Sequence, residues 1–116
     1  MNLSQGEIYW VAFPLRGGTE QQGQRPALIV QGETFLQSLP TLWVVPITLN
    51  LRAVRFPGTL RIAPDDCNGL TVLSVFLVFQ LQVINKRRLL SLAGKITPAQ
   101  LDQVLAMIDL LLGRRS

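Results

Sequence analysis

Apolar and polar positions alternate through most of this chain in short runs, and only the C-terminal end changes to a helical period. Glu7 to Phe13 is aromatic and β-branched and reads as a first strand, with Pro26 to Gln31 as a second. Leu42 to Thr48 is a third, and Pro46, which has no N–H to give a ladder, is expected at an edge or a bulge. Arg52 to Ile62 predicts a fourth strand broken by Pro57-Gly58. Leu70 to Phe79 is apolar on both faces, which calls for a central strand or one covered by another subunit. Leu89 to Ile96 adds a last strand, and Glu33 to Leu39 a helical turn before Pro40. Thr97 then caps a helix with Pro98 at its first position and Gln100 completing a capping box. Leu101, Val104, Leu105, Ile108, Leu111 and Leu112 recur at helical spacing, and Gly113 ends the run. Many short strands and one long helix predict an α+β, β-rich fold, a small β-barrel with helices attached.

Composition narrows the class. One hundred and sixteen residues with no linker or repeat form a single domain, residues 1–116. Hydrophobic content of 48% against 16% charged argues against disorder and suggests apolar surface covered by a partner or a second copy. The longest apolar stretch, Val72 to Ile84, is too short and too polar to span a membrane, and Met1 to Gln5 carries no signal-peptide pattern. Cys67 is the only cysteine, so no internal disulfide forms, which fits the cytoplasm.

Charge and one absence decide the chemistry. The net charge is +4 and nine of the eleven basic residues are arginine, which favours flat bidentate partners such as phosphate. Histidine is missing altogether. That excludes Ser/His/Asp catalysis, Cys/His proteolysis and histidine acid–base pairs, and no cofactor or metal is expected. Asp65-Asp66 are the only adjacent carboxylates, inside a Pro-Asp-Asp-Cys-Asn-Gly segment that reads as a turn.

Between the first two strands lies Gly18-Thr19-Glu20-Gln21-Gln22-Gly23-Gln24-Arg25-Pro26, a loop of turn formers, glutamines, one carboxylate and one arginine. Pro26 holds Arg25 extended at the base of a strand, well placed to grip a phosphate at two points. This loop, the later Pro46-Ile47-Thr48 and the closing helix together resemble the MazF/PemK (Kid) toxin family, over nearly the whole chain from Gly6-Glu7-Ile8-Tyr9-Trp10 to Leu111-Leu112-Gly113. The resemblance implies an SH3-like barrel that dimerises. It implies a sequence-specific, metal-independent endoribonuclease that cuts single-stranded RNA (mRNA) as the toxin of a toxin–antitoxin pair.

The same resemblance marks Arg25 and Thr48 as catalytic. Arg25 suits phosphate stabilisation better than proton donation, because its pKa is too high for an efficient acid. Glu20, the only carboxylate in the loop, is the candidate general base. Thr19, Gln21, Gln24, Asn50, Arg52 and Arg55 are expected to rim the same face and bind RNA, and Gln80 matches a family glutamine. Phe13, Tyr9 and Trp10 offer stacking surfaces, although Tyr9, Trp10 and Trp43 are expected chiefly in the core. The expected inhibitor is a cognate antitoxin whose acidic C-terminal tail lies over the basic groove.

One departure opens an alternative. Where family members carry an acid and a base around a conserved glutamine, this chain has Phe79 and Gln82, neither of which transfers a proton. The alternative is a catalytically weakened or inactive module that binds RNA or antitoxin. A toxin acting on a protein such as gyrase has no feature here to support it.

Overall fold

The computed structural model describes residues 2–13 and 23–115. β1 (Glu7–Ala12), β2 (Gln24–Ile29), β3 (Thr41–Thr48), β4 (Thr59–Ile62), β5 (Ser74–Leu77), β6 (Gln82–Asn85) and β7 (Leu89–Lys95) form one antiparallel sheet. Its strands run in the order β4-β5-β3-β2-β1-β7, with β6 pairing separately onto β3. A short α1 (Glu33–Leu36) and the long α2 (Pro98–Leu111) complete the chain. The β-rich, barrel-like plan with a C-terminal helix is the one expected, with an open path whose ends are β4 and β7.

Alternation along the strands builds two apolar layers. Ile8, Leu28, Val45 and Ile47 face α2 and pack with Phe76, Val78, Ile96 and Val104. Their neighbours Tyr9, Val11, Ala27, Ile29, Leu42 and Val44 turn to the opposite face, where Leu36 of α1 and Leu3 cover them. The helix N-terminus forms as its sequence dictates: Thr97 Oγ1 accepts from the Gln100 N–H, and Gln100 Oε1 accepts from the Thr97 N–H. Val104 is fully buried, whereas Leu111 and Leu112 stay exposed at the helix end.

Four expectations change. Residues Leu51–Arg55 form a 3-10 helix, so the fourth strand begins only at Thr59. The apolar run from Leu70 supplies strand only at Ser74–Leu77, fully buried between β4 and β3, and then a 3-10 turn at Val78–Gln80. A strand at Gln82–Asn85 was not expected, because Gln82 and Asn85 mask its short alternation. Pro46 is not at an edge. It pairs with Ala27 inside the central strand. Trp43 accepts from the Val30 N–H on the β2 side, so alternation points residue 46 away from β2. There the partner changes from β6, which ends opposite Val44, to β5, which starts opposite Ile47. The missing N–H falls in that gap, where no ladder bond is required of it.

Candidate active site

A cleft of about 400 Å³ opens at the end of the sheet where β2 begins and β3 ends. Arg25 and Gln24 of β2 line it, together with Thr48, Leu49 and Asn50 after the Pro46-Ile47-Thr48 element. Its far wall is Gly69 to Val72 with Ser74, and Trp10 and Pro26 stand beside it.

Strand register brings the two candidate catalytic residues together. β2 and β3 pair as Ile29 with Val44, Leu28 with Val45 and Ala27 with Pro46. Beyond that last pair β3 passes to β5, and Arg25 and Thr48 both line the cleft at the ends of the two strands. Arg25 is exposed, and it forms no ion pair with a described carboxylate. Thr48 Oγ1 accepts from the Asn50 N–H at 3.2 Å. That bond occupies a lone pair and leaves the hydroxyl proton to be donated elsewhere.

The following turn repeats the device. Asn50 Oδ1 accepts from the Arg52 N–H at 3.0 Å and caps the 3-10 helix. Asn50 also lines the cleft. The opposite wall is held by Asn68, which is fully buried. Asn68 Nδ2 donates to the Ala63 carbonyl, and its Oδ1 accepts from the Leu70 and Asp65 N–H groups. Asp65 Oδ1 accepts in turn from the Cys67 and Asn68 N–H groups. Asp65 thus serves the turn expected from its sequence. Gly69, at φ +75°, sits so close to β7 that a Cβ would strike the Ala93 carbonyl, and a Cβ on Gly94 would strike the backbone of Cys67 and Asn68. The turn is thereby locked against β7, with the Lys95 N–H donating to the Cys67 carbonyl at 2.9 Å.

The other expected site residues divide. Gln24 and Asn50 line the cleft, whereas Arg52, Arg55 and Gln80 are not among its lining residues. Arg55 instead stacks its guanidinium 4.9 Å from the Phe56 ring centroid, and Phe56 meets Phe79 at 5.6 Å. Phe79 therefore belongs to an aromatic stack outside the cleft lining. The Gln80 carbonyl accepts from Gln82 Nε2. Thr19, Glu20 and Gln21 lie outside the described residues. Sequence reasoning missed Thr71, Ser74 and the Gly69–Leu70 wall, whose signal was only a turn motif. It also misjudged the tryptophans: Tyr9 is buried as expected, but Trp10 is 37% and Trp43 50% exposed.

These features define a small barrel-like β domain with an arginine and a threonine at the rim of a cleft. Residues 4–112 match the family described as PemK-like, MazF-like toxin of type II toxin-antitoxin system. The chain is 28% identical to the endoribonuclease EndoA of Bacillus subtilis, over 94% of this chain and 99% of that protein. Among solved structures it resembles MazF from Deinococcus radiodurans, with a TM-score of 0.75 at 21% identity over 96% of each chain. It is also similar to a mycobacterial endoribonuclease in complex with its cognate antitoxin, with a TM-score of 0.71 at 22% identity, covering 97% of this chain and 96% of that one. The chain belongs to the PemK-like, MazF-like toxin family of type II toxin–antitoxin systems.

Proposed function

We propose that this chain, acting as one domain in the cytoplasm, is a toxin endoribonuclease that cuts single-stranded RNA at a short motif without a metal. The observation that carries the reading is the pairing of an open guanidinium, Arg25, with a hydroxyl, Thr48, whose proton is left free by the Asn50 N–H. In-line attack of a ribose 2′-oxygen on the adjacent phosphorus needs its proton removed, charge on the phosphorane stabilised and the 5′-oxygen protonated as the P–O5′ bond breaks. Arg25 stabilises the non-bridging oxygens in bidentate fashion and Thr48 donates to one of them. Glu20 takes the 2′-hydroxyl proton, and solvent water protonates the 5′-oxygen as it leaves. Gln24 and Asn50 read base edges, and Trp10 gives an unstacked base a surface.

The EndoA relative and the mycobacterial neighbour support the activity and a cognate antitoxin partner; the net charge of +4 favours an acidic tail on that partner. Exposed Phe56, Phe79 and Leu110 to Leu112 support a homodimer. No described helix is long and apolar enough to cross a membrane.

The test incubates purified protein with a long single-stranded RNA in EDTA beside Arg25→Ala, mapping ends by primer extension. Discrete cuts lost in the variant support the reading. RNA left intact by the wild-type protein at high concentration overturns it.

A further inference from the structure

β7 ends the strand path, and β1 is its only strand neighbour among the described residues. Backbone groups along a strand point alternately to either side, so part of the β7 backbone faces away from β1. One stretch of that outer edge is covered. The Lys95 N–H donates to the Cys67 carbonyl, and Gly69 and Gly94 bring the turn at residues 67–69 against Ala93. From Leu89 to Leu92, about 13 Å of strand, no described backbone group bonds the outer edge. Register shifts at Leu90 and Ala93 interrupt the pairing with β1 and keep an added ladder to about this length.

An open edge is commonly blunted by a charge within the strand. Here the middle of the edge is apolar: Leu90 is 45% and Leu92 54% exposed, on either side of Ser91. The charges stand at the ends instead. Lys86–Arg88 form a 3-10 turn immediately before the strand. Asn85 Oδ1 accepts from the Arg87 N–H at 2.8 Å, and the Lys86 N–H donates to the Pro40 carbonyl, so the turn is held in place. Lys95 closes the strand opposite Glu7, whose carboxylate accepts from the Ser4 N–H. The ion pairs among the described residues join Asp109 to Arg114 and Arg115, so none of these four cations is paired with a described carboxylate.

This order of cations, leucines and cation selects the occupant. A second copy of β7 is a poor match in either direction. Antiparallel over Leu89–Lys95, it sets Lys95 against the basic turn of its partner; parallel, it sets the two basic turns side by side, and like charges across a ladder repel. An extended segment with acids outside a short apolar run satisfies the open edge, the leucines and the cations together. We propose that the outer edge of β7 takes such an acidic peptide as an added strand, supplied by the acidic antitoxin partner of the reading above, on which this inference rests. The surface is separate from the cleft, whose lining includes no residue of β7.

The test uses the full chain and a synthetic peptide with glutamates at each end and alternating valine and threonine between them. Binding is read by anisotropy of the labelled peptide and by amide hydrogen exchange. Exchange of the outward amides within Leu89–Leu92 should slow about tenfold when the peptide is added. Of two peptides N-methylated on alternate residues, one should lose binding and the other keep it, because only one set of N–H groups faces β7. Leu92→Thr should weaken binding about tenfold and Arg87→Gln about threefold. Equal binding by the two methylated peptides, or unchanged exchange at Leu89–Leu92, overturns the added strand. Exchange slowed there by an oligoribonucleotide and not by the peptide overturns it in favour of a nucleic-acid surface. Loss of an oligomer in Leu90→Thr/Leu92→Thr by sedimentation overturns it in favour of a contact between copies. RNA left uncut by the wild-type protein overturns the enzymatic reading instead, and the peptide measurements still decide the edge.

Discussion

Arg25 and Thr48 line one cleft from the neighbouring ends of β2 and β3, just beyond the Ala27–Pro46 pair. Arg25→Ala should lower the cleavage rate by about 10²- to 10³-fold, the loss typical of one transition-state donor. Because Arg25 is exposed, its urea midpoint should shift by no more than about 0.5 kcal/mol in stability. Arg25→Lys should restore only part of the rate, since an ammonium cannot bind a phosphate at two points.

Thr48 separates into two roles through one oxygen. Thr48→Ser keeps both the acceptor for Asn50 and the free proton, and should cleave within a few fold of wild type. Thr48→Val loses both. Single-turnover rates should fall at least tenfold, and chemical denaturation should show a loss of about 1 kcal/mol. Equal rates in the two variants would exclude the hydroxyl from the reaction.

Trp10 is half-exposed at the cleft. Replacing it with alanine should weaken RNA binding by about 1–3 kcal/mol, the value of one base stacked on an aromatic ring. Trp10→Phe should recover most of that loss. Quenching of tryptophan fluorescence on titration with RNA, reduced in Trp10→Phe, is the direct readout.

The wall opposite Arg25 depends on buried Asn68. Asn68→Ala leaves the Leu70 and Asp65 N–H groups and the Ala63 carbonyl without their partner, and should cost about 3 kcal/mol by urea unfolding. Gly69→Ala should cost roughly as much, from a positive φ and the collision with Ala93. Cleavage measured on the folded fraction should also fall, because Gly69 to Val72 line the cleft.

Tyr9 provides a pH signature. Burial first, and the Glu7 carboxylate second, push its hydroxyl above the ordinary value of 10.0. The unfolded chain therefore releases this proton at lower pH than the folded one. The Tyr9 contribution is complete below pH 10 and is lost as pH climbs toward the raised folded value. Urea midpoints should fall over that range in the wild-type protein and fall less in Tyr9→Phe. Parallel curves would show that the phenol does not titrate differently in the two states.

The local chemistry was legible residue by residue. Thr97, Pro98 and Gln100 predicted the helix start because a capping box involves only neighbours in sequence, and Pro-Asp-Asp-Cys-Asn-Gly predicted its turn for the same reason. Alternation along Glu7 to Phe13 and Leu42 to Thr48 announced strands, since a pleated backbone sends successive side chains to opposite faces. The family resemblance singled out Arg25 and Thr48, and their motif positions needed no coordinates.

What tertiary structure alone decided were the partners across the sheet. Pro46 tolerates a central strand only because β6 gives way to β5 beside it. Trp10 and Trp43 lie on strands paired on both sides, and their exposure follows from the face each occupies rather than from their type. Phe79 occupies a position that suggested a lost catalytic acid, yet it stacks on Phe56 outside the cleft lining. Periodicity assigns each residue a face of its own strand, but register between strands is set by long-range packing, and only that packing brings Arg25, Thr48 and the Gly69–Val72 wall to one cleft.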